Sequence, residues 1–154
     1  MELTGQILSG TGLLSLCAIL HVVLVSKSVD AIPHFSKRIE NLSYSWRLPI
    51  FVGVTFVMVV FSLTLQVWIW AISFIYIGAF SDWPTSVYFS LVTFTTLGYG
   101  DITLGPEHRV FAAFAAVTGL LTFGISTAFL VGLVSRVLSL SPVLDAAILS
   151  KKQP

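Results

Sequence analysis

Three apolar runs, each about as long as a lipid bilayer is thick, constrain this chain more than any other feature. They cover residues 7–25, the stretch from Pro49 to about Gly78, and the stretch from about Val110 to Val137. A hydrocarbon core of about 30 Å needs about 20 helical residues. The chain is 56% hydrophobic and 10% charged, whereas soluble domains carry about 25% charged residues. The sequence therefore predicts an all-α membrane protein with three transmembrane helices.

The first run could instead be a secretory signal, which has a basic start and a small-residue cleavage site. Its start carries Glu2 and no Lys or Arg, so we interpret the run as a retained helix. The predicted domains are an N-terminal helix with its linker over 1–47, a second unit over 48–137 that contains the other two long helices, and a short tail over 138–154.

Lysine and arginine are distributed unevenly along the chain. Residues 26–47 hold four of them and the stretch from Arg136 onwards holds three, whereas residues 79–109 contain only Arg109. Cytoplasmic loops of membrane proteins are enriched in these residues. We therefore predict a multi-pass protein of the cell membrane (plasma or inner) with an external N-terminus and a cytoplasmic linker and tail.

Charge and cysteine content exclude several other classes of protein. A net charge of +1 gives no indication of a nucleic-acid partner, and the single Cys17 permits neither a disulfide framework nor a cysteine-based metal site. No span carries Arg or Lys at every third position, so a voltage sensor of the usual kind is not predicted. No catalytic residue is predicted either, and we expect the chain not to be an enzyme.

A short helix is predicted between the second and third runs, over about 84–94. Asp82 suits the position before its first turn, and Pro84 suits the first turn itself. A helix of this length cannot cross a bilayer, although it can form a re-entrant segment. The irregular, glycine-containing backbone that follows is tolerated at membrane depth only where it is buried in protein or lines water.

That irregular segment, called the filter segment below, has a backbone suited to a dehydrated cation. It consists of Thr96, Leu97, Gly98, Tyr99 and Gly100. An ion that loses its water needs rings of carbonyl oxygens at a similar distance. Successive carbonyls point the same way only if the backbone alternates in handedness, and glycine adopts positive φ without a steric penalty. The Thr96 hydroxyl adds one more oxygen, and the C-terminal end of the short helix carries a partial negative charge.

The string Thr95-Thr96-Leu97-Gly98-Tyr99-Gly100-Asp101 resembles the selectivity filter of prokaryotic potassium channels that have three membrane spans and a single re-entrant pore loop. The likeness extends from about Trp83 to Val137. It implies a homotetrameric pore with K⁺ coordinated at Thr96, Leu97, Gly98 and Tyr99, with Gly100 closing the filter. The implied partners are K⁺ and the lipid bilayer, and no cofactor is expected beyond potassium ions in the filter.

The sequence departs from this family around the filter. Val92 stands where some relatives carry a glutamate, and Tyr88 stands where many carry a tryptophan that bonds the aspartate after the filter. The resemblance therefore predicts that the Tyr88 hydroxyl donates to Asp101, with simple packing of Tyr88 as the alternative. Further filter support is expected from Thr95, and from Thr93 as the partner of the Tyr99 hydroxyl. Leu97 replaces the more common valine, a change that should spare selectivity.

The third long helix carries the candidate gate. Gly119 and Gly124 could form a hinge or could allow close helix packing. The resemblance implies that Phe123 and Thr127 line a cavity, and Val131, one turn further, could share that face. A different candidate, His21, lies within the first span and is either functional or a satisfied interfacial histidine.

The predicted function is passive, potassium-selective conduction across the membrane. A nonselective cation channel would be expected to differ at Tyr99 or Gly100, and neither position differs. A potassium-uptake transporter carries four pore loops in one chain, and this chain has one. A nonconducting regulatory subunit is the remaining alternative, and the intact filter segment argues against it.

Overall fold

The computed structural model describes residues 2–30 and 44–139, and within them it contains four helices and no strand. The helices are α1 (Leu3–Asp30), α2 (Tyr44–Tyr76), α3 (Trp83–Phe94) and α4 (Arg109–Ser139). Three segments are long and apolar enough to cross a membrane, namely Leu3–Lys27, Val52–Tyr76 and Arg109–Ser135. The prediction of an all-α membrane protein with three spans and one short helix is confirmed.

The predicted start of the second long helix is wrong. We expected Pro49 to open it, but α2 begins at Tyr44 and Pro49 lies inside the helix. Pro49 lies in the second turn, where it removes one backbone hydrogen bond and its ring crowds the carbonyl four residues earlier, so it strains the helix near its start. The first helix is also longer than the predicted 7–25. The linker between 31 and 43 and the tail beyond 139 lie outside the described residues.

Gly78 ends α2 with a Schellman motif. Its φ is +72°, the Gly78 N–H donates to the carbonyl of Ile75 at 3.0 Å, and the Ala79 N–H donates to the carbonyl of Phe74 at 2.9 Å. Only glycine adopts this left-handed conformation without a steric penalty. The motif turns the chain towards α3, which begins at Trp83.

On α1, mainly polar and small residues face the neighbouring helices, and large apolar residues face outwards. On α1 the buried positions are Gln6, Gly10, Cys17, His21 and Val25. The most exposed ones include Leu3, Leu8, Leu16 and Ile19. This pattern is typical of membrane helices, because lipid is as apolar as leucine and association depends on close packing and hydrogen bonds. The chain therefore packs as a bundle surrounded by lipid.

Helix α3 lies between α2 and α4, and α1 packs along the same two helices. An aromatic cluster fixes α3 from the side: the rings of Phe74 and Phe89 are 5.2 Å apart and edge to face, and Phe74 also meets Phe111 at 5.8 Å. The buried Ser86 hydroxyl donates to the carbonyl of Ala71 at 2.8 Å. These contacts join α3 to α2 directly, and through Phe74 to α4, and they set the position of the segment that follows α3.

Candidate functional site

The start of α3 is capped as its sequence predicts. The Asp82 carboxylate accepts a hydrogen bond from the Thr85 N–H at 2.9 Å, and Pro84 occupies the first turn. The hydrogen bond from the Thr85 backbone lowers the pKa of Asp82 below its usual value. An acidic cap suits the partial positive charge at a helix N-terminus. The cap defines where α3 begins and therefore where its last turn ends.

The backbone N–H groups after α3 fold back onto the helix. The Thr96 N–H donates to the carbonyl of Thr93 at 2.9 Å, and both Leu97 and Gly98 donate to the carbonyl of Val92, at 3.0 and 3.3 Å. Among the described residues, no carbonyl from 96 to 100 accepts a backbone hydrogen bond. The first three N–H groups of the filter segment are thus directed at α3, whereas its carbonyl oxygens accept no backbone hydrogen bond from the described residues.

The filter segment alternates in backbone handedness. Its positive φ angles fall on every second residue: +60° at Thr96, +54° at Gly98 and +76° at Gly100. The two glycines are the positions that the sequence predicts. Thr96 was not predicted at positive φ, since a β-branched side chain disfavours this region by about 1–2 kcal/mol. Strain of this kind persists where surrounding contacts impose it, and it is concentrated at functional sites.

Side chains of the filter segment are exposed in the single chain. Leu97 is 58% and Tyr99 is 67% accessible. The predicted hydrogen bond between Tyr99 and Thr93 is not among the side-chain bonds that the structure contains in residues 2–30 and 44–139. The role of Thr93 that is visible here is that of its carbonyl, which anchors Thr96.

The predicted contact between Tyr88 and Asp101 is present. The Tyr88 hydroxyl donates to Oδ2 of Asp101 at 2.6 Å, a short distance typical of a bond to an ionised group. This hydrogen bond raises the pKa of the Tyr88 phenol. The bond joins the middle of α3 to the residue that follows Gly100. Nearer the start of the filter segment, the Thr95 hydroxyl donates to the carbonyl of Leu91 at 2.7 Å.

The two glycines proposed for a hinge in α4 have different surroundings. A Cβ on Gly119 would overlap the carbonyl oxygen of Phe94 and would lie 2.8 Å from its carbonyl carbon. A Cβ on Gly124 would meet nothing within 4 Å. Gly119 is therefore a close-packing residue, where the backbone of α4 touches the end of α3. Gly124 has no such contact with the part of the chain that the structure describes.

The remaining gate candidates share the exposed side of α4. Phe123, Thr127 and Val131 are all exposed in the single chain, and the Thr127 hydroxyl donates to the carbonyl of Phe123 at 2.9 Å. The Phe123 ring lies 6.1 Å from that of Phe94, so this face begins beneath the last turn of α3. That it lines a cavity stays a prediction.

Sequence comparison adds one finding to this geometry. A family model described as "Ion channel" matches residues 54–136. The match begins within α2 and includes α3, the filter segment and most of α4. No curated protein and no solved structure matches the chain.

Proposed function

The chain belongs to the ion-channel family whose model matches residues 54–136, and from that premise we propose that it is the pore-forming subunit of a potassium-selective channel. The observation that carries the proposal is the filter segment, where positive φ at every second residue coincides with unoccupied carbonyl oxygens. Rings of such oxygens from several chains replace the hydration shell of K⁺. The carbonyls of Thr96 to Gly100 and the Thr96 hydroxyl would supply these rings.

A homotetramer is the assembly that this proposal requires. One chain supplies one filter segment, and a ring of carbonyls with fourfold symmetry needs four of them. The exposure of Leu97, Tyr99 and Phe123 in the single chain supports an assembly in which neighbouring copies cover these side chains. A conducting protein whose mass in detergent corresponds to a dimer would be incompatible with the proposal.

The decisive test is flux through purified protein in liposomes. Gly98→Ala should abolish potassium flux, because residue 98 has φ +54° and a Cβ disfavours that conformation by about 1–2 kcal/mol in every copy. Gly12→Ala is the matched control, since a Cβ there meets nothing within 4 Å on an ordinary helix, and it should conduct like the parent. Tyr99→Asp should reduce discrimination between potassium and sodium.

Three results would contradict the proposal in different ways. A reversal potential unchanged by both Gly98→Ala and Tyr99→Asp would place the ion path elsewhere. Equal flux of sodium and potassium in the parent would identify a nonselective cation channel. An intact tetramer without flux under any condition would identify a nonconducting regulatory subunit.

Orientation in the membrane is proposed from the distribution of basic residues: an external N-terminus and filter mouth, with the linker and tail in the cytoplasm. Single cysteines at Ser36, outside the described residues, and at Thr103 test it in a Cys17→Ser background. An impermeant thiol reagent applied to intact cells should label position 103 only. Labelling at position 36 alone would invert the topology.

A further inference from the structure

His21 joins three helices at one buried point. It lies in α1 with no exposed surface, its Nδ1 is 2.9 Å from the Ser62 hydroxyl of α2, and its Nε2 is 3.0 Å from the Ser126 hydroxyl of α4. The sequence left open a satisfied histidine at the membrane interface. In the structure, the imidazole instead makes its hydrogen bonds to neighbouring helices. His21 lies six residues before Lys27, where the apolar span ends, which is about 9 Å along the helix.

The hydrogen bonds assign the position of the imidazole proton. Ser126 donates its own hydroxyl proton to the carbonyl of Thr122 at 2.6 Å, so it accepts from His21, and Nε2 carries the proton. Nδ1 is then an acceptor, which the Ser62 hydroxyl and the Gln66 amide nitrogen, 3.3 Å away, face as donors. The neutral imidazole with its proton on Nε2 fits every partner.

Within residues 2–30 and 44–139, no countercharge faces this histidine. Helix α2 presents Ser62 and Gln66 to it and has no titratable side chain between 49 and 75. Helix α4 presents Ser126 and has none between 110 and 135. On α1 itself the nearest titratable groups are Cys17, one turn earlier, and Lys27. A buried charge without a partner is strongly unfavourable.

A second proton at Nδ1 would therefore disturb the junction. It would face the Gln66 amide nitrogen, which cannot accept, and the Ser62 hydroxyl would have to rotate its own proton away in order to accept the new bond. The Gln66 Oε1 is buried and has no hydrogen-bond partner among the residues that the structure describes. Water that entered a loosened junction would satisfy both this oxygen and the imidazolium. Proton binding and helix separation thus favour each other by linkage.

We propose that His21 is a proton-binding latch, which ties α4 to α1 and α2 when neutral and releases α4 when protonated. Its contact on α4, Ser126, lies between Gly124 and the pore-face candidate Thr127. Through the bond between Ser126 and His21, the part of α4 that follows Gly124 is connected to α1. The consequence for conduction rests on the proposed channel function, whereas the latch itself does not.

The native Cys17 reports on the latch without any need for current. It is the only cysteine, is fully buried and lies one helical turn before His21. N-ethylmaleimide labelling of the detergent-purified protein is measured between pH 7.5 and 5.5, and each rate is divided by that of His21→Gln at the same pH. The division cancels the thiol's own pH dependence. The ratio should rise severalfold on acidification, within the limit of about tenfold per pH unit for one linked proton.

Two further variants sharpen the test. Ser126→Ala cuts the contact to α4, so Cys17 should be labelled faster than in the parent at pH 7.5, with a smaller response to acid. His108→Gln, which removes a described histidine remote from the junction, should respond like the parent. A ratio that does not change with pH would overturn the latch. A full acid response of Cys17 labelling in Ser126→Ala would overturn it as well, and this second comparison remains valid if His21→Gln does not fold. A pH-dependent ratio without flux in any variant would count against the channel function alone.

Discussion

Substitution of Gly119 by alanine should separate α4 from the end of α3. The glycine lets the α4 backbone touch the carbonyl group of Phe94 directly. In the parent geometry, the added Cβ would overlap that oxygen and would lie 2.8 Å from the carbonyl carbon. Ordinary carbon–carbon contacts are about 3.5–4.0 Å, so the two backbones must move apart by roughly 0.7 Å or more. Because the obstacle is backbone, no rotamer change can relieve it.

The size of the effect follows from two opposing terms. Alanine improves intrinsic helix propensity by about 1 kcal/mol over glycine. Overpacking a tight contact costs about 1–3 kcal/mol, and more where the neighbour cannot yield. The Phe94 side chain is itself almost completely buried, so the end of α3 has little room to retreat. We therefore expect Gly119→Ala to destabilise each chain by about 1–2 kcal/mol.

Thermal melting of the detergent-purified protein measures this effect, and Gly124→Ala is the matched control. At about 2–4 °C per kcal/mol for a chain of this size, Gly119→Ala should lower the melting temperature by a few degrees. The Cβ added by Gly124→Ala meets nothing within 4 Å in residues 2–30 and 44–139, so this variant should melt at or above the parent temperature. Equal melting of Gly119→Ala and the parent, or a larger loss in Gly124→Ala, would refute the assignment of close packing to Gly119.

Three other predictions concern the supports of the site. Tyr88→Phe removes the bond to Asp101 and should deepen the decay of steady-state current without a change in selectivity; strictly additive effects with Asp101→Asn in a double-mutant cycle would contradict this coupling. Gln6→Leu deprives two N–H groups at the start of α4 of their acceptor, the buried one of Phe111 and the part-buried one of Val110. Leaving the buried group without an acceptor costs roughly 1–3 kcal/mol, so the melting temperature should fall by about 2 °C or more; an unchanged melting temperature would refute this. Asp82 has a folded pKa below its usual 3.8, so its capping contribution is present above that pH and is lost as pH falls through the folded value. Asp82→Asn should melt with a weaker pH dependence between pH 5 and 3, and the same acid loss as the parent would refute the cap.

Local patterns were sufficient to predict much of this architecture. Apolar runs of bilayer length specify helices because an unpaired backbone group is costly in lipid. The cap at Asp82 is predictable because its two signals are adjacent in sequence and act within one turn. The bond between Tyr88 and Asp101 was predictable from the resemblance, since a tyrosine hydroxyl can take the place of another donor.

Other features depend on contacts that the sequence does not display. Thr96 adopts positive φ against its own preference, because its N–H is held by the carbonyl of Thr93 while Gly98 is held by that of Val92. Gly119 and Gly124 look alike in sequence, and only the approach of Phe94 distinguishes them. His21 could be recognised as unusual in an apolar span, but its partners lie more than forty residues away along the chain.

The contacts of α4 with the other helices differ along its length. Gln6 of α1 accepts hydrogen bonds from the first N–H groups of α4, and Gly119 lies against the carbonyl of Phe94. The segment between them is therefore held to both α1 and α3. Beyond it, a Cβ on Gly124 would meet nothing within 4 Å among the described residues, and the next hydrogen bond that the structure describes from α4 to another helix is the one between Ser126 and His21. A movement of the part of α4 beyond Gly119 would thus bend the helix between Gly119 and Ser126, and it would have to break the bond between Ser126 and His21. A rigid rotation of the whole helix is not an alternative, because it would disrupt the end of α3 and the filter segment attached to it.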